Sequence, residues 1–357
     1  MRRPLERRLR VALIAVSMLC GVLVLVVGGL LLYWREYLLR PNPGVFPRGP
    51  FLTRLSETEA ELRYTVADGR DVVLTAVGGG REVRARGDRF EGLEPDTLYS
   101  WTAAVDGSAA STGSFRTAPT DPDTPIRFVA IADYGSGDEH EWAVGRVAAA
   151  VRPAFAVTAG DNSYLTSNAA VLDRNIFKPL HDLMKIAPLW IGMGDHDLAW
   201  RDGADLIEAI DPPGDGLRYE VRYGPVQVVV LGDQADADGI AFARQALARP
   251  GPRVRFVTLH RPLQTGHPLL PVLREAGVEA VFQGHLHRYE RRLVDGVRLF
   301  TVGVGGKGPG NLEFTKASPG AERSLLDFGL LQVDVAGDRV EYTYLDETGR
   351  ILDRAVS

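Results

Sequence analysis

The sequence predicts an α/β domain, preceded by a small antiparallel β-sandwich and a single N-terminal membrane-spanning helix. Three observations carry that prediction. Residues Val11 to Tyr33 contain no charged side chain. Between two proline-rich stretches, apolar residues recur at every second position, the period of half-buried strands. From Ile126 onward, short apolar runs alternate with helical stretches in a β-α-β rhythm. The 357 residues exceed one ordinary domain of roughly 100–200 residues and suit two plus an appendage.

The uncharged run comes first. As a helix, its 23 residues would extend about 34 Å, enough to cross a hydrocarbon core of about 30 Å. Arg2, Arg3, Arg7, Arg8 and Arg10 precede it, and Arg35 and Arg40 follow. The positive-inside rule then makes residues 1–10 a cytoplasmic basic tail, 11–33 a lipid-embedded helix and the remainder extracytoplasmic. The expectation is a single-pass cell-membrane protein. Tyr33, Trp34 and Tyr37 suit an interfacial aromatic belt. A cleaved signal peptide is the competing reading. The run is longer than a signal core of about 7–15 residues, and no A-x-A site follows it. Either reading exports the bulk of the chain.

Composition excludes several classes. Hydrophobic residues at 45% and charged residues at 24% are ordinary globular values, so wholesale disorder is out. The 41 basic and 46 acidic side chains leave a net charge of −5, so no nucleic-acid-binding surface is indicated. The only cysteine, Cys20, excludes an intrachain disulfide and a cysteine metal site.

Next comes a spacer over 40–50, RPNPGVFPRGP, whose four prolines exclude helix and central strand. A second break, Thr117 to Pro125, has three prolines in nine residues. Between them, over 51–117, the sandwich alternates. Ala60, Leu62, Tyr64 and Val66 face one way and Glu61, Arg63 and Thr65 the other; Tyr99, Trp101, Ala103 and Val105 repeat the pattern. Asp68-Gly69 and Asp106-Gly107 supply turns.

In the α/β domain, 126–357, each apolar run ends in a block of acidic or imidazole side chains. Ile126–Ala132 leads to Asp133-Tyr134-Gly135. Ala154–Gly160 leads to Asp161-Asn162-Ser163-Tyr164. Pro188–Gly194 leads to Asp195-His196-Asp197. Val254–Leu259 leads to His260, and Glu279–Gly284 leads to His285-Leu286-His287. Sites in α/β architectures collect at the carboxyl ends of strands. Carboxylates with imidazoles suit ions such as Fe, Mn and Zn.

In their order and spacing these blocks resemble GDxG, GDxxY, GNH(D/E), VxxH and GHxH of the calcineurin-type metallophosphoesterases, most closely the purple acid phosphatase branch. The Arg288-Tyr289-Glu290-Arg291 tail is similar to that branch. Gly92 to Tyr99 resembles the turn and tyrosine corner of fibronectin type III domains, and Gly113 to Thr117 their last strand. The resemblance implies a four-layer α/β/β/α sandwich and hydrolysis of small phosphate esters by a metal-bound hydroxide attacking phosphorus in line. It implies two metal ions: Fe(III) with Zn, Mn or Fe(II), or a di-Mn or di-Zn pair. Asp133, Asp161, Tyr164 and His287 would hold the first, and Asp161, Asp195, His260 and His285 the second, with Asp161 bridging. The family's tyrosine ligand stabilises Fe(III) and gives its purple colour, the role implied for Tyr164. His196 would meet the substrate as acid or transition-state contact, with His267 a weaker candidate.

Two departures stand out. Ala132 replaces a glycine, which should be harmless. Asp195 replaces a neutral Asn and adds a negative charge, which should hold the second metal tighter and weaken the pull on a phosphate dianion. The rival readings are a Mn/Zn phosphodiesterase or nucleotidase, and a catalytically weak surface module. Gly303 to Gly308 lacks P-loop spacing, and Asp233-Gln234 reads as structural.

Overall fold

The computed structural model describes residues 3–39, 45–66, 69–310 and 316–357, with side chains of the first segment over 13–32. Arg2, Asp68 and spacer residues 40–44 lie outside the described residues. The chain divides into two compact units, Met1–Asn42 and Pro43–Ser357. The first is one helix, Arg3–Leu39. Its segment Leu13–Leu32 has a mean hydropathy of 2.7, long and apolar enough to cross a membrane. Leucine and valine side chains along it are exposed.

The second unit opens with seven strands in two antiparallel sheets. Arg48–Leu55, Glu59–Thr65 and Arg89–Glu91 form a three-stranded sheet. Arg81–Arg84, Val72–Gly78, Leu98–Val105 and Ser108–Arg116 form a four-stranded one, in that order. The period of two places Tyr99, Trp101, Ala103 and Val105 in the core. Tyr99 Oη accepts the Glu94 backbone N–H at 2.9 Å, closing a corner. Asp106 and Gly107 both take positive φ, 50° and 80°, as a tight hairpin turn requires. The spacer ends earlier than the proline count implies: Arg48–Pro50 already belong to a strand. That strand is an edge strand, where a missing N–H costs no ladder bond.

The segment 117–125 is irregular, as its prolines require, yet it is not loose. Thr117 and Ala118 are buried, and Tyr223 Oη donates to Arg116 O at 2.8 Å. Trp101 Nε1 donates to Lys185 O at 3.0 Å. These bonds tie the small sandwich to the α/β part.

The α/β part contains a six-stranded and a seven-stranded sheet. The first runs Leu189–Trp190, Ala156–Thr158, Ile126–Ile131, Gly329–Ala336, Arg339–Asp346, Ile351–Val356. The second runs Tyr219–Tyr223, Val226–Val230, Val254–Thr258, Val278–Gln283, Val297–Val302, Tyr289–Val294, Ala321–Leu325. Phe128, Phe155 and Trp190 on the side of the first pack with Phe256, Phe282 and Phe300 of the second in one shared core. On the outer face of the first sheet, Val129 and Ile131 meet Val144 and Ala148 of helix Glu139–Ala150. On the outer face of the second, Val229, Val257 and Val281 meet Ala243 of helix Ala237–Leu247 and Leu273 of helix Leu269–Glu275. The result is four layers, α/β/β/α. Strands buried on both faces read as continuous apolar runs, which is why this region lacks alternation.

Candidate metal centre

The five motif blocks converge where the carboxyl ends of the two sheets meet. Ile126–Ile131, Ala156–Thr158 and Leu189–Trp190 run parallel, so Asp133, Asp161 and Asp195 leave the same edge of the first sheet. Val254–Thr258 and Val278–Gln283 are likewise parallel and deliver His260, His285 and His287 from the second. Asp133, Asp161 and His285 take left-handed backbone, with φ of 52°, 52° and 67°. Side-chain-bearing residues rarely sit there, and such strain concentrates at functional sites.

The donor atoms form two interlocked groups. In the first, Tyr164 Oη donates to Asp133 Oδ1 at 3.3 Å and lies 3.4 Å from His287 Nε2; that nitrogen is 3.4 Å from Asp133 Oδ1. In the second, Asp195 Oδ1 lies 3.0 Å from His260 Nε2 and 3.1 Å from His285 Nδ1. Asp161 stands between them: its Oδ1 is 3.4 Å from His260 Nε2, and it gathers with Asp133 and His260. All seven donor residues expected from the motifs are therefore brought together.

The donor set fits cations. His260 Nδ1 faces Ala159 O at 2.8 Å and His287 Nδ1 faces Gly308 O at 2.9 Å, which orients each Nε2 inward. Backbone carbonyls hold metal-ligating imidazoles in this way. The electrostatics agree. Burial alone would lower the pKa of His260, yet its bond to Asp195 and the carboxylates of Asp133 and Asp161 push it up to about 10. Carboxylates crowded around a buried imidazole in this way favour positive charge at the site. Burial pushes Asp161 up to about 8, and the neighbouring carboxylates add to that. Burial likewise pushes the Tyr164 phenol well above its ordinary value. Asp195 goes the other way: hydrogen bonds from His260 and His285 hold it well below the usual carboxylate range.

His196 lies at the rim. Its ring centroid is 4.6 Å from that of Tyr164, and its backbone N–H donates to Asp161 Oδ1 at 3.1 Å. Burial lowers its pKa, opposed by Asp195 and Asp133. His267 has a local partner instead: its Nδ1 accepts the Leu269 N–H at 3.2 Å, at the start of a helix. Among the described residues, no hydrogen bond or ion pair links it to the seven donors. His140 pairs with Glu347 at 2.7 Å and stacks on Phe328, and His181 pairs with Asp182 on the surface.

Four residues escaped the motif reading. Asp197 is fully buried and accepts N–H groups from Gly194, Ser163 and Asn162, at 2.9, 3.0 and 3.2 Å. It thereby locks the second and third motif loops together. Asn162 completes that lock: Nδ2 donates to Asp197 and Gly192 O, while Oδ1 accepts from Thr158 and Tyr134. Both sat inside motif blocks, and their burial was the missing signal. Arg261 reaches Asp233 at 3.1 Å and Asp195 at 3.5 Å, giving Asp233 a partner at the site. Lys307, from the glycine-rich segment, places Nζ 4.9 Å from the Tyr164 ring centroid.

No sequence-family profile matches the chain, and no curated protein matches it. Solved structures do. A purple acid phosphatase from yellow lupin (Lupinus luteus) seeds aligns with a TM-score of 0.72 at 13% identity, over 87% of this chain and 75% of its own. PhoD aligns with a TM-score of 0.61 at 12% identity, over 86% and 88%. GAP50, described as the anchor in the inner membrane complex of Plasmodium, aligns at 0.51 and 14% identity, over 65% and 88%. At such identities the likeness is one of architecture: the chain has the metallophosphoesterase fold.

Proposed function

We propose that the protein is a membrane-anchored, extracytoplasmic hydrolase of phosphate esters that works with two metal ions and is similar in kind to acid phosphatases. Two interlocked donor groups, with Asp161 gathered beside both Asp133 and His260, carry this reading. Asp133, Asp161, Tyr164 and His287 would hold one ion, and Asp161, Asp195, His260 and His285 the other. Fe(III) with a divalent partner suits a set that includes a phenol; Mn or Zn pairs suit the rest. When bound, such a pair supplies Lewis-acid charge and activates water near neutral pH. The chain's own residues do the remainder. Asp197 and Asn162 hold the ligand loops in register, and His196, beside Tyr164 at the rim, would give a proton to the leaving oxygen. His267 is kept as the weaker candidate, with its Nδ1 engaged by the Leu269 N–H.

The same reading places the bilayer at 11–33, residues 1–10 in the cytoplasm and the catalytic part, 126–357, outside. The β-sandwich over 51–117 is read as fibronectin type III-like, supported by its two antiparallel sheets and the Tyr99–Glu94 bond. The carboxylate of Asp195, set among His260 and His285, favours a second reading, a Mn or Zn phosphodiesterase or nucleotidase, because an added negative charge weakens the hold on a dianion.

The test uses the full chain in detergent, loaded separately with Fe/Zn, Mn and Zn. Hydrolysis of p-nitrophenyl phosphate and bis-p-nitrophenyl phosphate is compared, with Asp161→Asn as blank. Monoester turnover in a purple iron-loaded sample supports the first reading, and diester turnover alone the second. A folded, metal-loaded sample inactive on both esters overturns the enzyme reading and leaves a surface-binding module.

A further inference from the structure

The segment Gly303–Gly308 threads between the two halves of the first donor group. Lys307 N–H donates to Asp133 O at 2.8 Å, and Gly308 O faces His287 Nδ1 at 2.9 Å. The fit is tight: a Cβ on Gly306 would stand 2.4 Å from Tyr134 O. Val304 is fully buried, so Lys307 carries the one polar side chain of this stretch. Its ammonium lies over the Tyr164 ring, at a distance where a cation is attracted to the face. Among the described residues no carboxylate pairs with it. Arg261, on the Asp195 side, differs: its charge is already shared between Asp233 and Asp195.

Charge decides what such a lysine does. An Fe(III) with a divalent ion brings +5. Asp133, Asp161, Tyr164 and Asp195 remove four when ionised, leaving +1 where a neutral residue at 195 would leave +2. A phosphomonoester dianion needs more than that, and Lys307, with no carboxylate partner among the described residues, is a cation at hand.

On the hydrolase reading above, we propose that Lys307 is the substrate-binding cation of this site and that it selects phosphomonoesters. A monoester dianion has three terminal oxygens and would keep one for Lys307 with the ions bound, and lysine is a compact point charge suited to it. In a diester that oxygen is esterified and one negative charge is gone, so Lys307 has nothing to hold. The added carboxylate of Asp195 and the added cation of Lys307 then offset each other across the two donor groups.

The test compares the metal-loaded full chain with Lys307→Met, Lys307→Arg and the exposed, remote Lys178→Met. Orthophosphate binding is measured by calorimetry, and kcat/KM with p-nitrophenyl phosphate and bis-p-nitrophenyl phosphate. Loss of one charge-assisted bond predicts about 10–100-fold weaker phosphate binding in Lys307→Met. The monoester-to-diester ratio should fall by a similar factor at unchanged metal content. Lys307→Arg should recover most of both, and Lys178→Met should match wild type. Unchanged phosphate binding, or an equal loss on both esters, overturns the proposal. If the wild type hydrolyses neither ester, the enzyme reading fails, and the calorimetry still decides whether Lys307 binds phosphate.

Discussion

Gly194 gives the most direct test of how the centre is held. Its φ is an ordinary −105°, so the need for glycine is spatial. A Cβ there would lie 2.2 Å from Asp161 Oδ1 and 2.4 Å from the Asp161 backbone nitrogen. Ordinary contact begins near 3.4 Å, so the overlap is 3.4 − 2.2 = 1.2 Å. Backbone on one side and a shared donor on the other leave no flexible group to yield. Gly194→Ala must therefore shift the third motif loop or Asp161 by roughly 1 Å. Overpacking of this kind costs about 1–3 kcal/mol, or a fall in Tm of about 2–10 °C. A displacement of about 1 Å at a reacting centre costs on the order of 100-fold in rate. Gly310→Ala is the control, because among the described residues a Cβ there meets nothing within 4 Å. The assays are thermal unfolding, metal content by mass spectrometry and ester hydrolysis. If Gly194→Ala melts within about 1 °C of wild type and binds as much metal, the close-contact argument is wrong.

The electrostatics support two more predictions. Mn, Zn or Fe/Zn at about 100 times their dissociation constant should stabilise the protein by about 2.7 kcal/mol. Asp161→Asn, which removes the shared carboxylate, should abolish most of that rise in Tm; a wild-type Tm indifferent to all of these ions would refute the centre. Separately, the bond to Glu347 raises the pKa of His140 above its ordinary 6.5, with burial opposing. The raised value belongs to the folded state, so the stabilisation is full below pH 6.5 and is lost as pH climbs through that raised value. Glu347→Gln should thus lower Tm most near about pH 6 and little near about pH 9. A Tm difference independent of pH, or growing with it, would contradict the pairing.

Much of this protein was legible in the chain because the signals are local. Period two marked Tyr99 to Val105, and an uncharged run marked the N-terminal helix. The order of the Asp and His blocks pointed to the centre, because each block succeeds its own strand and needs no distant partner to be recognised. The fold class came the same way, although its four layers rested on the resemblance, since strands apolar on both faces carry no mark of which sheet they join. Tertiary structure decided the rest. Asp161 stands between the donor groups only because the edges of two sheets meet there. Arg48–Pro50 became strand because an edge position spares proline its missing bond. Asp197 and Asn162 are a lock because burial turns their polar atoms onto one another, the motif loops and the side chains of Thr158 and Tyr134. Lys307 is 143 residues (307 − 164) from the tyrosine it covers. No spacing rule joins them; they meet because the second strand after the last motif, Val297–Val302, delivers its following turn beside Asp133 and His287.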